Sequence, residues 1–171
     1  MIAVLGPGGV GGFIAAALAR DGQDVTGVAR ESTAAKIRDD GVEVRSVVLG
    51  DFTGRPAASA ALQEPATVLI VATKALGLAD ALQRIHADPQ LVVPLLNGLD
   101  HMVLLRQRFG ADAVAAGSIR IEADRPAPAQ VVQTSKFLRI DVAADRPAPR
   151  SRLEALAPLL EHAGIPARIE R

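Results

Sequence analysis

Five glycines fall within the seven residues GPGGVGG, positions 6–12, directly after the apolar run Ile2–Leu5. Glycine weakens strand and helix interiors, so a cluster this dense needs a backbone reason: a phosphate-binding turn or a flexible linker. The flanking residues decide between the two. Ile2–Leu5 is continuously apolar, as a strand buried on both faces of a parallel sheet must be. Beyond the glycines, Val10, Phe13, Ile14, Ala17 and Leu18 recur at helical spacing and define one face of a helix. DGQ at 21–23 ends that helix, and Val25–Ala29 reads as a second short apolar strand. The glycines therefore join strand to helix inside a βαβ unit of about 30 residues.

In that setting Gly6, Gly8 and Gly11 match G-x-G-x-x-G. The first glycine permits the tight turn, the second lets the backbone approach a pyrophosphate, and the third lets helix and strand pack closely. Gly9 and Gly12 leave the register of the motif open by one residue, Pro7 stiffens the turn, and Val10 begins the helix. No GKS or GKT follows, so the loop is not a P-loop.

The alternation continues along the chain. Ser32–Asp39 is a short helical candidate ending in Asp39-Asp40, read as a solvated helix end. VEVRSVVLGDFTGRPA, from Val42, has the β-branched alternation of a strand or hairpin. TVLIVA at 67–72 and LVVPLL at 91–96 are further buried strands, Pro94 suiting an edge or a strand end. Residues 75–86 and 102–109 carry helical spacing. From Ala113 three strand-like stretches, broken by DRPAPA and DRPAPR, predict a mixed or antiparallel C-terminal extension. An amphipathic helix over about 151–163 and a short strand in IPARIER complete the reading. The expected fold class is α/β: a Rossmann-type, doubly wound, mostly parallel sheet.

Composition narrows the function classes. The 19 basic and 19 acidic residues cancel, so no single-sign field favours nucleic acid or an anionic membrane, and any anionic ligand must be held locally. With 2% aromatic residues, base-stacking platforms are nearly absent. There is no cysteine, which excludes thiolate zinc sites, disulfides and a cysteine nucleophile and fits a reducing cytoplasm. The apolar start has no basic flank and no window is long enough to span a bilayer, so neither a signal peptide nor a membrane anchor is expected. His86, His101 and His162 have no metal-ligand spacing, and Ser118 lies in no nucleophile elbow. His101 borders the expected cleft and reads as a helix-start polar residue.

Three strand ends carry the remaining candidates. The second strand ends in Arg30, whose guanidinium suits the 2′-phosphate of NADP; the adjacent Glu31 could instead accept from the ribose hydroxyl of NAD. VATKA puts Lys74 just past the next buried strand, where it could touch ribose, phosphate or a substrate carboxylate, or simply be solvated. LLNGL puts Asn97 beyond the last, within reach of the nicotinamide side or a substrate oxygen, or in a plain turn with Gly98.

The ordered series GPGGVGG, GVAR, VATKA and LLNGL closely resembles the ketopantoate reductase (2-dehydropantoate 2-reductase) family over essentially the whole chain. The resemblance implies an N-terminal Rossmann domain that binds NADP(H), with residues 6–11 as the pyrophosphate loop and Arg30 as the 2′-phosphate partner. It makes Lys74 and Asn97 residues of the cofactor cleft, with Asn97 also reaching the substrate, and sets Ala123 at the nicotinamide end. The implied reaction is reduction of the small keto acid 2-dehydropantoate to pantoate, in pantothenate biosynthesis. In the family the general-acid lysine and an assisting glutamate belong to a helical C-terminal domain beyond the stretch matching IPARIER. Residues 1–171 are accordingly expected to be the cofactor-binding half, with no catalytic residue of their own. Two other functions fit the residues: a non-catalytic NADP(H)-binding module, or a related dehydrogenase of another small keto or hydroxy acid. Exposure of the face that would meet the helical domain makes self-association, as a homodimer, a further expectation.

Overall fold

A computed structural model describes residues 1–170. In chain order β1 (Ile2–Leu5), α1 (Gly9–Arg20) and β2 (Val25–Val28) form the opening βαβ unit, followed by α2 (Glu31–Asp40) and the strands β3 (Val42–Ser46), β4 (Phe52–Gly54) and β5 (Ala57–Ser59). Next come β6 (Val68–Val71), a 3-10 turn at Ala75–Gly77, α3 (Leu78–Leu82), β7 (Leu91–Pro94) and α4 (His101–Phe109). The last part holds β8 (Ala116–Arg120), β9 (Ala123–Asp124), β10 (Gln130–Gln133), β11 (Arg139–Ala143), α5 (Pro147–His162) and β12 (Ala167–Ile169).

Five strands make an all-parallel sheet in the order β5-β2-β1-β6-β7. The order reverses at β1, leaving the topological switch point between β1 and β6. Alternate side chains of each strand enter opposite cores: Ile2, Val4, Val68 and Ile70 face α1, whereas Ala3, Leu5, Leu69 and Val71 face α3 and α4. Burial on both faces is why these runs are apolar throughout.

Helix α1 lies between two sheets. On one side it packs on β1 and β2; on the other it meets β3, β4, β9 and β10, which form a second sheet in the order β4-β3-β10-β9. Residues Gly11–Leu18 are buried in consequence, and Phe13, the helix's largest core residue, is fully enclosed. The alanine run of α1 admits this close approach: at Gly54 the backbone of β4 crosses directly over Ala16.

Several expectations are refined. The stretch after Val42 divides: β3 and β4 form an antiparallel hairpin in the second sheet, while β5 returns as the third parallel strand of the first. Residues 75–86 keep the buried positions Leu78, Leu82 and Ile85, but helix stops at Leu82 because the backbone beyond it pairs with Leu62. The C-terminal strands are mixed, as expected, and gather into the second sheet and a third, β12-β11-β8, joined to β7 by the Val92–Val114 bridge. Pro94 closes β7, the last strand of the five, where a residue without N–H is tolerated. Helix α5 begins four residues earlier than the spacing predicts, inside the DRPAPR break, because Pro147 takes the first helical position. No described helix is long and apolar enough to cross a membrane.

The ends of α1 and α5 meet in one ion pair. Asp21, the C-cap of α1, lies 2.6 Å from Nδ1 of His162, the last residue of α5. The hydrogen bond from His162 holds the Asp21 carboxyl below its ordinary value of 3.8. A carboxyl whose folded pKa is depressed stabilises the fold fully above its unfolded value and ceases to do so as pH falls through the folded one. His162→Ala should therefore return the Asp21 titration toward 3.8 and reduce the loss of stability on acidification below that pH. Carboxyl NMR titration with melting at matched pH checks both; an unmoved Asp21 titration counts against the pairing.

Candidate active site

The parallel strands deliver polar or glycine residues to their carboxyl ends, and the ladder runs one rung beyond the strands. Gly6 N–H donates to Val28 O (3.1 Å), Ala72 N–H to Leu5 O (2.9 Å), Ala29 N–H to Ser59 O (3.1 Å) and Leu95 N–H to Val71 O (2.8 Å). The loops that follow thus start from fixed points. Strands about 4.8 Å apart put the ends of β2 and β7 about 14 Å from each other, with the glycine loop between them.

The glycines of that loop answer to different neighbours. Gly6 has φ +82°, a left-handed conformation, and a Cβ there would stand 2.7 Å from Thr73 Cγ2. A Cβ on Gly11 would overlap the Gly6 carbonyl oxygen and stand 3.1 Å from Ala72 Cβ; on Gly9 it would lie 2.6 Å from the Ala123 carbonyl, and on Gly12 3.0 Å from Val131 Cγ2. Gly8 is the exception: apart from its chain neighbours, none of the described residues lies within 4 Å of the position its Cβ would take.

Gly8 is also the N-cap of α1, which has no capping side chain and no acidic residue in its first turn. The first N–H groups of a helix have no intrahelical acceptor and carry its positive dipole end. Here they open onto the space in front of Gly8, so a pyrophosphate fits the donor set and the cradle alike. The motif register, open in the sequence, is fixed by these contacts: Gly6 turns, Gly8 is vacant-sided, and Gly11 packs helix on strand.

The other candidates surround this loop. Pro7 is buried, its ring facing Gly27 of β2, so its part is in shaping the turn. Val10 is half-buried and packs on the core. Arg30 is exposed and is the N-cap of α2, while the neighbouring Glu31 is paired with Arg38. Lys74 is exposed and precedes the 3-10 turn at the end of β6, across the switch point from Gly6. Asn97 is exposed in the turn after β7, beside Gly98 at φ +81°. Ala123, in β9, abuts the glycine loop through its carbonyl. The structure thus joins residues 6–11 directly to Ala123, and sets Arg30, Lys74 and Asn97 on the neighbouring strand ends.

One residue of this region, Thr73, has no part in the sequence reading, and the burial of a second, His101, is new. Thr73 touches Gly6, and its Oγ1 is buried without a partner among the described residues; VATK itself offered the hydroxyl, overshadowed by the lysine. His101 is a helix-start residue as expected, yet only 7% exposed. Burial holds its imidazole below the ordinary 6.5, against the opposing effect of the Asp100 charge. Among the described residues no cluster of three metal-capable side chains occurs.

The strand order, the glycine turn and the open helix end define a Rossmann-type α/β domain. The chain belongs to the ketopantoate reductase PanE/ApbA family, whose model matches residues 2–144. It is 31% identical over 137 residues to the Bacillus subtilis (strain 168) protein described as "Uncharacterized oxidoreductase YkpB", covering 77% of this chain and 45% of that protein. Among solved structures, 2-dehydropantoate 2-reductase from Porphyromonas gingivalis W83 superposes with a TM-score of 0.87 at 26% identity, over 99% of this chain and 63% of that one. D-mandelate dehydrogenase, solved with NADH and anilino(oxo)acetate, shares the fold with a TM-score of 0.86 at 20% identity, over 99% and 56% of the two chains. The chain thus spans between about half and two thirds of the length of these relatives.

Proposed function

We propose that this chain is the NADP(H)-binding part of an oxidoreductase that reduces a small 2-keto acid, with 2-dehydropantoate as the substrate the family favours. The observation that carries the reading is the space at Gly8, open on the protein side and faced by uncapped helix N–H groups. Residues 6–11 hold the pyrophosphate, Arg30 the 2′-phosphate, and Lys74 the ribose or phosphate side. Asn97 and Ala123 meet the nicotinamide end, and Asn97 also orients the substrate. Bound in this way, the reduced nicotinamide supplies the hydride. The proton for the developing alkoxide is assigned to the helical half of the family's longer members, so residues 1–171 alone bind cofactor without turning substrate over. The cytoplasm is the proposed compartment, and a homodimer the proposed assembly.

NADH is the alternative cofactor, favoured by the carboxylate of Glu31 in the first turn of α2. Calorimetric titration with NADPH and NADH, repeated on Arg30→Ala, separates the two. Hydrogen bonds to a charged group contribute about 1.5–3 kcal/mol, so Arg30→Ala should weaken NADPH binding roughly 10- to 100-fold and leave NADH nearly unchanged. A variant that retains the wild-type preference removes Arg30 from the site, and a wild type that prefers NADH overturns the NADP assignment.

A further inference from the structure

Helix α2 begins immediately after β2, so Arg30 and Glu31 reach the same strand end with opposite charges. A free carboxylate there would repel a 2′-phosphate and accept from a 2′-hydroxyl, reversing the preference that Arg30 sets. Glu31 is not free. Its Oε1 is paired with Nη2 of Arg38, seven residues along α2. Nη1 of the same guanidinium donates to the Ala58 carbonyl of β5 at 3.1 Å, which ties the pair to the strand beside β2. The fork geometry of arginine makes both contacts from one side chain.

We propose that Arg38 is a specificity-determining positioning residue: by clamping the Glu31 carboxylate against β5 it keeps the end of β2 cationic and selective for a 2′-phosphate. Arg38 acts through Glu31 and not by touching the ligand. The proposal rests on the cofactor reading above and adds to it a residue that reading does not use. Exposed ion pairs contribute little to stability. The clamp matters for where the carboxylate points.

The test is titration of NADPH and NADH into wild type, Arg38→Ala, Glu31→Gln and the double variant, with melting curves for each. Arg38→Gln is the second single variant, since it keeps a donor for Ala58 but cannot pair the charge. Both Arg38 variants should lose about tenfold of the NADPH preference, one decade of Kd ratio, through weaker NADPH binding and equal or tighter NADH binding. Glu31→Gln should keep the preference, and the double variant should regain it, because no carboxylate remains to be released. A loss that persists in the double variant overturns the proposal, since Arg38 would then contact the phosphate or support α2 generally. A wild-type preference that survives both Arg38 substitutions overturns it alone. A wild type without NADPH preference overturns the cofactor reading, and this inference with it.

Discussion

Gly8→Ala is expected to abolish dinucleotide binding while leaving the fold nearly intact, and Gly11→Ala to act first on the stability of the fold. The two glycines stand three residues apart in one motif, but their neighbours differ. A methyl group on Gly8 enters space that the protein leaves open, at a cost of at most about 1 kcal/mol from the poorer N-cap. It would occupy the volume in front of the first N–H groups of α1, where a phosphate must come to within hydrogen-bond distance. A loss of at least about 100-fold in NADPH affinity, roughly 2.7 kcal/mol, is expected. On Gly11 the methyl group meets the Gly6 carbonyl and Ala72 Cβ, backbone on one side and a fixed strand end on the other. Overpacking of this kind costs about 1–3 kcal/mol or more, and for a chain of this size each kcal/mol lowers Tm by about 2–4 °C. Paired calorimetry and melting would reveal the separation. Equal effects of the two substitutions on stability would mean that Gly8 is also packed, and the cradle would lose its support.

Gly54→Ala should be the most damaging single methyl group in the chain. Its Cβ would stand 2.5 Å from Ala16 Cα and 2.7 Å from Ala16 C, so neither partner can yield by rotating a side chain. Relief requires β4 to part from α1, opening the interface between the helix and the second sheet. A loss of about 3 kcal/mol or more is expected, at the upper end of overpacking effects. Gly77→Ala is the matched control, because nothing lies within 4 Å of its Cβ position and its φ of −98° suits any residue. That change should be neutral or stabilising by up to about 1 kcal/mol. Urea midpoints at unchanged slope decide the comparison; a Gly54→Ala protein as stable as the control would mean that the two layers are looser than their contact implies.

Four of the five strands of the first sheet were readable from the sequence because their information is local. Ile2–Leu5, the residues about Val68–Val71 and Leu91–Pro94 are each an apolar run between turn residues, and burial on both faces imposes that pattern. Apart from the hairpin offered after Val42, the second and third sheets were readable only as strands without partners. Gln130–Gln133 pairs with Glu43–Ser46, far away in sequence, and nothing in either stretch specifies the other. The same distinction divides the site. The glycine turn announces itself by composition, whereas the hold of Arg38 on Glu31 depends on Ala58 of a three-residue strand whose own presence had no local signal. The strand-end positions of Arg30 and Asn97 were legible because each follows directly on an apolar run that had to be a buried parallel strand.

The enclosure of α1 by two sheets bears on how the domain would behave as it fluctuates. Amides of residues 13–18 lie too deep to exchange with solvent through fraying or loop motion, and their exchange should report global unfolding. The first turn of the helix, half-buried at Gly9 and Val10, opens to solvent at the end that faces the glycine loop. A ligand held there sits on the same helix as that buried stretch, so opening of residues 13–18 beneath it accompanies unfolding of the whole domain. Its binding free energy would be added almost whole to the stability of the entire domain, and a loosening of the far sheet would be felt as a weaker grip on the ligand.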